Sequence, residues 1–182
     1  MDLFGIATIT CTYDPLTAVN AYRNIHHFGM DVLEYKTSIY GEFGGLLNRL
    51  DIPRDRFFVS WDLKREAQRP EPDFQSALAP GHRVIETAHI EVLGKTGPLK
   101  LDVIQDVRPN LNEELLLVEI PVDFYLMLRE TDVEDTKVRR IPLDWRMQTR
   151  KVFQGLFEKK YRVIDFCVAK GNPNKNFYVL KK

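Results

Sequence analysis

Two asparagines four residues apart, Asn20 and Asn24, and two arginines four residues apart, Arg146 and Arg150, have the types and spacing that suit ligand chemistry. Positions i and i+4 fall on one line of a helix. Two carboxamides on such a line offer donors and acceptors in a row, which suits an extended polar ligand such as a pantetheine arm. The other reading is a solvated helix face. Two guanidiniums on one line can grip a carboxylate through bidentate hydrogen bonds. That carboxylate belongs either to an acidic substrate or to an Asp or Glu of the chain itself.

Residue periodicity indicates the elements that must hold these side chains. Residues 6–13 have the Ile, Thr and Tyr content of a strand, and Asp14-Pro15 reads as an N-cap followed by the first helical residue. The free N–H groups of such a helix start also favour an anion. At about 100° per residue, Ala18, Ala21, Tyr22, Ile25 and Phe28 share a core-facing stripe of a helix over 15–28, with Asn20, Asn24 and His27 on the other side. Gly29 suits the helix end. Strands follow at 31–35 and, past a glycine-rich turn at 41–45, at 56–63, and the two form a plausible hairpin. The proline-rich segment 64–83 reads as a connection. Beyond it, strands are expected at 84–92, 99–107 and 114–124, then a charged stretch over 125–140 with no assignable period. A helix over 144–160 follows, capped by Asp144, with Trp145, Thr149, Val152, Phe153 and Leu156 in its stripe. Strands at 162–169 and 176–180, joined by "KGNPNK", close the chain.

Composition limits what such a chain does. Its 182 residues are 44% hydrophobic, enough to bury a core, and 26 basic residues balance 26 acidic ones. A net charge of zero removes the electrostatic footprint of general nucleic-acid binding. The sequence has no apolar run of the roughly 18 residues that span a membrane and no signal-peptide layout at its start, so a cytoplasmic location and no membrane partner are expected. Cys11 and Cys167 each lie in an expected strand, without the spacing of a zinc site or disulfide framework, and read as buried free thiols.

Two tempting patterns fail. "GKT" at 94–96 looks like the end of a phosphate loop, but His89 occupies the position where that loop needs glycine, so a hairpin tip is expected. His26 and His27 diverge by about 100° on a helix and cannot share a metal. A repeat is also visible: "HFGMDVLEY" at 27–35 aligns without gaps on "EKKYRVIDF" at 158–166, each after a strand and helix and each before an aromatic strand. Duplication of a β-α-β-β unit and shared periodicity both account for it.

The blocks "TYDPLTAVNAYRNIHHFGMDVLEY", "IYGEF" at 39–43 and "DRFFVSWDL" at 55–63 resemble the second half of a GNAT-superfamily acyltransferase. "VEIPVDF" at 118–124 and "LDWRMQTRKVF" at 143–153 resemble the long C-terminal extension found in a subset of that superfamily, the predicted GNAT acetyltransferases. The resemblance implies an α/β (α+β) fold with a mixed, mostly antiparallel sheet flanked by helices. It divides the chain into a GNAT-like unit at 1–63, a connection at 64–83 and an extension at 84–182. It further implies acetyl-CoA or another acyl-CoA as co-substrate and a small-molecule amine, such as an amino acid, as acceptor. The pantetheine would pair with the first strand at Thr10 and Thr12 and contact Asn20 and Asn24. The tyrosine that protonates the leaving thiolate in that superfamily falls here on Ile25, so Tyr22 or His26 would have to serve instead. The superfamily's Gln/Arg-x-x-Gly-x-Gly/Ala pyrophosphate loop would precede the first strand, and residues 1–5 do not contain it. If Met1 is the true start, the chain is therefore expected to bind acyl-CoA weakly and transfer acyl groups negligibly by itself, to expose the edge of its first strand, and to seek a second copy or a separate amino-terminal half as partner; a start further upstream would instead supply the loop. A non-catalytic binding or interaction module is the alternative.

Overall fold

The computed structural model describes residues 5–39, 49–65, 80–171 and 174–182. The expectations for the turn at 41–45, most of "IYGEF", most of the connection and the middle of "KGNPNK" lie outside these residues. The described strands are β1 (Thr8–Tyr13), β2 (Asp31–Lys36), β3 (Arg56–Asp62), β4 (Ile85–Leu93), β5 (Pro98–Val107), β6 (Leu115–Ile120), β7 (Arg162–Ala169) and β8 (Lys175–Lys181). Among the described residues they form three small antiparallel sheets, β1-β3-β2, β4-β5 and β6-β8-β7, in a mixed α+β chain. No described helix is long and apolar enough to cross a membrane.

Among the described residues, three helices lie between strands of a single sheet, one between β1 and β2 and two between β6 and β7. The first, α1, is α-helical over Ala18–Ala21 and continues as a π-helical turn over Tyr22–His27. It starts three residues later than the sequence suggests. Pro15 and Leu16 instead occupy a turn closed by the Thr17 N–H donating to the Asp14 carbonyl at 3.0 Å. Asp14 Oδ1 accepts from the Leu16 N–H, and its Oδ2 is committed elsewhere, as described below. The π turn also corrects the expected helical faces. Its wider i→i+5 winding shifts the phase, turning Asn24 inward beside Ile25 and leaving Tyr22 exposed. Helix α2 (Phe124–Glu130) is capped by Asp123, and α3 (Thr136–Glu158) by Asp135, whose carboxylate accepts from the N–H groups of Lys137 and Val138. The helix expected to start at Asp144 therefore starts two turns earlier. Pro142 lies inside it and is buried, together with Val138, Ile141, Trp145, Arg146, Thr149, Val152, Phe153 and Leu156. A stripe with helical spacing that includes a proline and an arginine is poorly visible to a hydrophobicity pattern.

The two outer sheets are built alike. In each, a strand leads through a helix to a second strand and then to a third that inserts between the first two, giving the orders β1-β3-β2 and β6-β8-β7. The second strand is bulged in both, between Val32 and Glu34 and between Val163 and Asp165, which are matching positions of the gapless sequence alignment. Matching positions also end the helices: Gly29 at φ 62° and Lys160 at φ 72°. Contacts across the junction are reciprocal. β2 packs beside β7, the π turn of α1 packs on β7, and α3 packs on β2. Isologous contact of this kind is what a two-fold relation between the units produces.

Lys160 carries the cost of that shared backbone shape, because a side chain with a Cβ is disfavoured in the left-handed region by about 1–2 kcal/mol. Lys160→Gly is expected to stabilise the protein by about 0.5–1 kcal/mol after glycine's greater loss of chain entropy. A urea melt checks this, and an unchanged or lower midpoint would contradict it.

One cluster of buried residues runs through both outer sheets and α3. At its centre Phe57 of β3 and Tyr178 of β8, matching positions on the two central strands, meet edge to face at 5.4 Å. The β4-β5 hairpin joins this core through Ile85 and Leu101, and its tip is a turn at 94–97, as the hairpin-tip reading of "GKT" requires. Gly94 N–H donates to the Gly97 carbonyl, and a Cβ on Gly94 would press on the Glu130 carbonyl at 3.2 Å. The Glu130 carboxylate accepts from the Thr96 N–H at 3.0 Å, the Thr96 hydroxyl at 2.7 Å and Arg129 Nε at 2.9 Å. The Thr96 hydrogen bonds, followed by Arg129, hold this carboxyl below its ordinary value. A carboxyl with a lowered folded-state pKa stabilises the fold above its unfolded value, about 4.3, and loses that contribution as pH falls through the folded value. Thr96→Val is therefore expected to lower stability at pH 7 and to flatten the acid limb of the stability–pH curve below about pH 4. Parallel acid limbs in wild type and variant would contradict this.

Candidate functional site

β1 is an edge strand. Among the described residues its only ladder partner is β3, with Thr10 opposite Ser60 and Thr12 opposite Phe58. Thr8, Ile9, Thr10 and Cys11 are exposed, so Cys11 is not the buried thiol its strand position suggests. Cys167 in β7 is partly buried, and that burial, with Asp165 nearby, pushes its thiol up to about 12. Thr12 is half-buried as the strand enters the core.

The π turn places a second group of residues. His26 Nδ1 meets Asp165 Oδ1 at 3.0 Å, and the Tyr22 ring lies 4.8 Å from the imidazole at a 32° tilt. Asp165 is buried on the bulge of β7, where its Oδ1 also accepts from its own neighbour, the Phe166 N–H, at 2.7 Å. The carboxylate therefore fixes the ring through Nδ1, and among the described residues Nε2 has no hydrogen-bond partner and is placed to accept or deliver a proton. Tyr22 and His26, separate candidates in the sequence, are thus brought together. Asp165 was missed because its pairing spans the two halves of the chain and leaves no local signal.

The asparagines do not form one exposed row. Asn20 donates to the Thr17 hydroxyl at 3.1 Å and accepts from Arg23 at 3.1 Å. Asn24 is buried, and its carbonyl accepts from the Met30 N–H at the end of the π turn.

Arg146 and Arg150 reach two carboxylates of the chain. Arg146 Nη2 donates to Asp14 Oδ2 at 2.5 Å, and its guanidinium lies 5.0 Å from the Phe124 ring. It is buried, and its Nε and Nη1 have no hydrogen-bond partner among the described residues. Arg150 holds Asp55 in a two-bond fork, Nε to Oδ2 and Nη2 to Oδ1, both at 2.8 Å. The Tyr35 hydroxyl donates to Asp55 Oδ2 at 2.8 Å, and burial, followed by the Asp55 charge, raises its pKa. Nearby, the Tyr178 hydroxyl donates to the Pro15 carbonyl at 2.9 Å, so at their 3.3 Å contact the Tyr13 hydroxyl is the donor to Tyr178. Burial raises both phenols well above their ordinary value. They are hydrogen-bonding groups here and supply no proton near neutral pH.

Compared with known proteins, the chain matches no family model, no curated protein and no solved structure.

Proposed function

We propose that the chain is a GNAT-like acyltransferase lobe, built from two related β-α-β-β units, that moves an acyl group from acyl-CoA to an amine. The open edge of β1 carries the reading. Among the described residues no strand pairs with its far side, beside exposed Thr8 and Thr10, and a pantetheine arm, which has amide groups of its own, pairs with such an edge as an added strand. The order β1-β3-β2 with a helix between its first two strands, and the sequence blocks that resemble the superfamily, support the same reading.

In this reading the catalytic power comes mainly from holding the amine against the thioester carbonyl. The amine nitrogen attacks that carbon, the C–S bond breaks, and the departing thiolate takes a proton. His26, held by Asp165 on β7, has the chemistry to move that proton where the thioester comes within its reach, and the Tyr22 ring lies tilted beside it. Asn20, half-buried where Asn24 is buried, is the carboxamide this reading assigns to the cofactor, which would have to displace its bonds to Thr17 and Arg23, and Thr12 marks where the ligand strand would meet the core.

Calorimetric titration with acetyl-CoA, followed by an assay of thioester loss with primary amines, tests this. Weak binding and slow transfer are expected, and His26→Gln is expected to slow transfer further without weakening binding. No heat with any CoA thioester would favour a non-catalytic interaction module, for which the same open edge would seat another protein strand.

A further inference from the structure

A groove of about 600 Å³ lies between the β4-β5 hairpin and the start of α2, away from β1 and the π turn. That volume is within the range of small-molecule sites. Its floor is apolar, with Leu101, Pro121, Val122, Leu126 and Met127, and its polar groups are His89, Glu91, Lys100, Asp102 and Asp123. His89 and Asp102 are directly opposed across the ladder, as are Glu91 and Lys100.

The His89–Asp102 pair gives the groove its chemistry. His89 Nδ1 is in contact with Asp102 Oδ1, which is buried and accepts no hydrogen bond among the described residues. The Asp102 backbone is fixed from behind, because its carbonyl accepts from Trp145 Nε1 at 2.9 Å. The Asp102 side chain is only 8% exposed, whereas that of His89 is 52% exposed. A neutral imidazole with Nδ1 turned to the carboxylate and Nε2 unprotonated keeps Nε2 as an acceptor on its other side. The groove therefore has three carboxylates and an imidazole acceptor against one ammonium, that of Lys100. A buried carboxylate with so few donors calls for a ligand that brings N–H donors and positive charge.

We infer that this groove binds a primary amine carried on an apolar body, with the ammonium at His89 Nε2, on the side of the ring away from Asp102, and the apolar part on Leu126 and Met127. The inference is independent of acyl-CoA binding. The protein has four histidines, so its imidazole carbon-bound proton signals can be assigned individually and followed during titration with phenethylamine, with 3-phenylpropionate as the anionic control of similar shape. Phenethylamine is expected to shift His89 saturably and to leave His26, His27 and His82 in place, and Asp102→Asn is expected to weaken binding about tenfold or more. Because Asp102 is buried, exposed His89→Gln provides a second test, read at the Met127 methyl, and is also expected to weaken binding. The inference is overturned if phenethylamine leaves His89 unmoved, if 3-phenylpropionate binds as tightly, or if a folded His89→Gln or Asp102→Asn variant binds phenethylamine unchanged.

Discussion

Phe57→Ala is expected to destabilise the protein by about 4 kcal/mol, because it removes a fully buried ring from a core whose neighbours are too constrained to close the gap. Phe57 stands edge-on to four rings: Phe153 at 4.9 Å, Tyr178 at 5.4 Å, Tyr35 at 5.5 Å and Tyr13 at 5.9 Å. These rings come from β1, β2, α3 and β8, so the loss falls on both outer sheets together. The hydroxyls of Tyr13, Tyr35 and Tyr178 are each engaged in hydrogen bonds, which prevents their rings from swinging into the void. Phe57→Leu, which keeps most of the volume, is expected to cost only about 1–2 kcal/mol. Urea unfolding can be followed at the chain's two tryptophans, Trp61 on β3 and Trp145 on α3. One shared transition is expected for wild type and for each variant. Separate transitions would show that the units do not share this core.

Asp55→Ala is expected to cost about 3 kcal/mol through a different mechanism. Asp55 is fully buried and accepts from Arg150 Nε and Nη2, the Tyr35 hydroxyl and, at 3.2 Å, the Ser38 N–H. Removing it leaves a guanidinium and a hydroxyl without their partner in a site largely closed to water. Breaking a fully buried pair costs about 3–5 kcal/mol, and the lower end applies because the Arg150 side chain keeps 19% exposure. The double variant Asp55→Ala/Arg150→Met is expected to recover part of the loss, because no charge is then stranded. If the single and double variants are equally unstable, packing and not charge pairing is the role of Asp55.

These two residues also show how far the sequence could be read. Phe57 lies in "RFFVSWDL", an aromatic and β-branched run whose strand character is local, and every other described strand was similarly legible to within a few residues. The long-range pairs were not. Nothing near Asp55 announces Arg150, and nothing near Asp165 announces His26, because each pair is made by folding distant segments together. Arg146 and Arg150 stood out by their spacing, but only the fold shows that they meet Asp14 and Asp55. The π turn hid the true faces of α1, since a helical wheel drawn at the α period puts Tyr22 inside and Asn24 outside, the reverse of what is found. Pro142 and the charged residues before it hid the first two turns of α3. The repeat was legible only as a weak alignment, whereas its matching bulges and left-handed residues are backbone properties that the side chains barely encode.

Acyl-CoA is proposed to pair with the side of β1 that no other described strand covers. The most direct test is the backbone amide spectrum of the ¹⁵N-labelled chain during titration with acetyl-CoA, a measurement that registers even millimolar affinity. The account predicts saturable shifts concentrated at Thr8, Ile9, Thr10, Cys11 and Thr12, and extending to His26 and Asn20. A spectrum unchanged at saturating acetyl-CoA, or shifts confined to β6, β7 and β8, would contradict it.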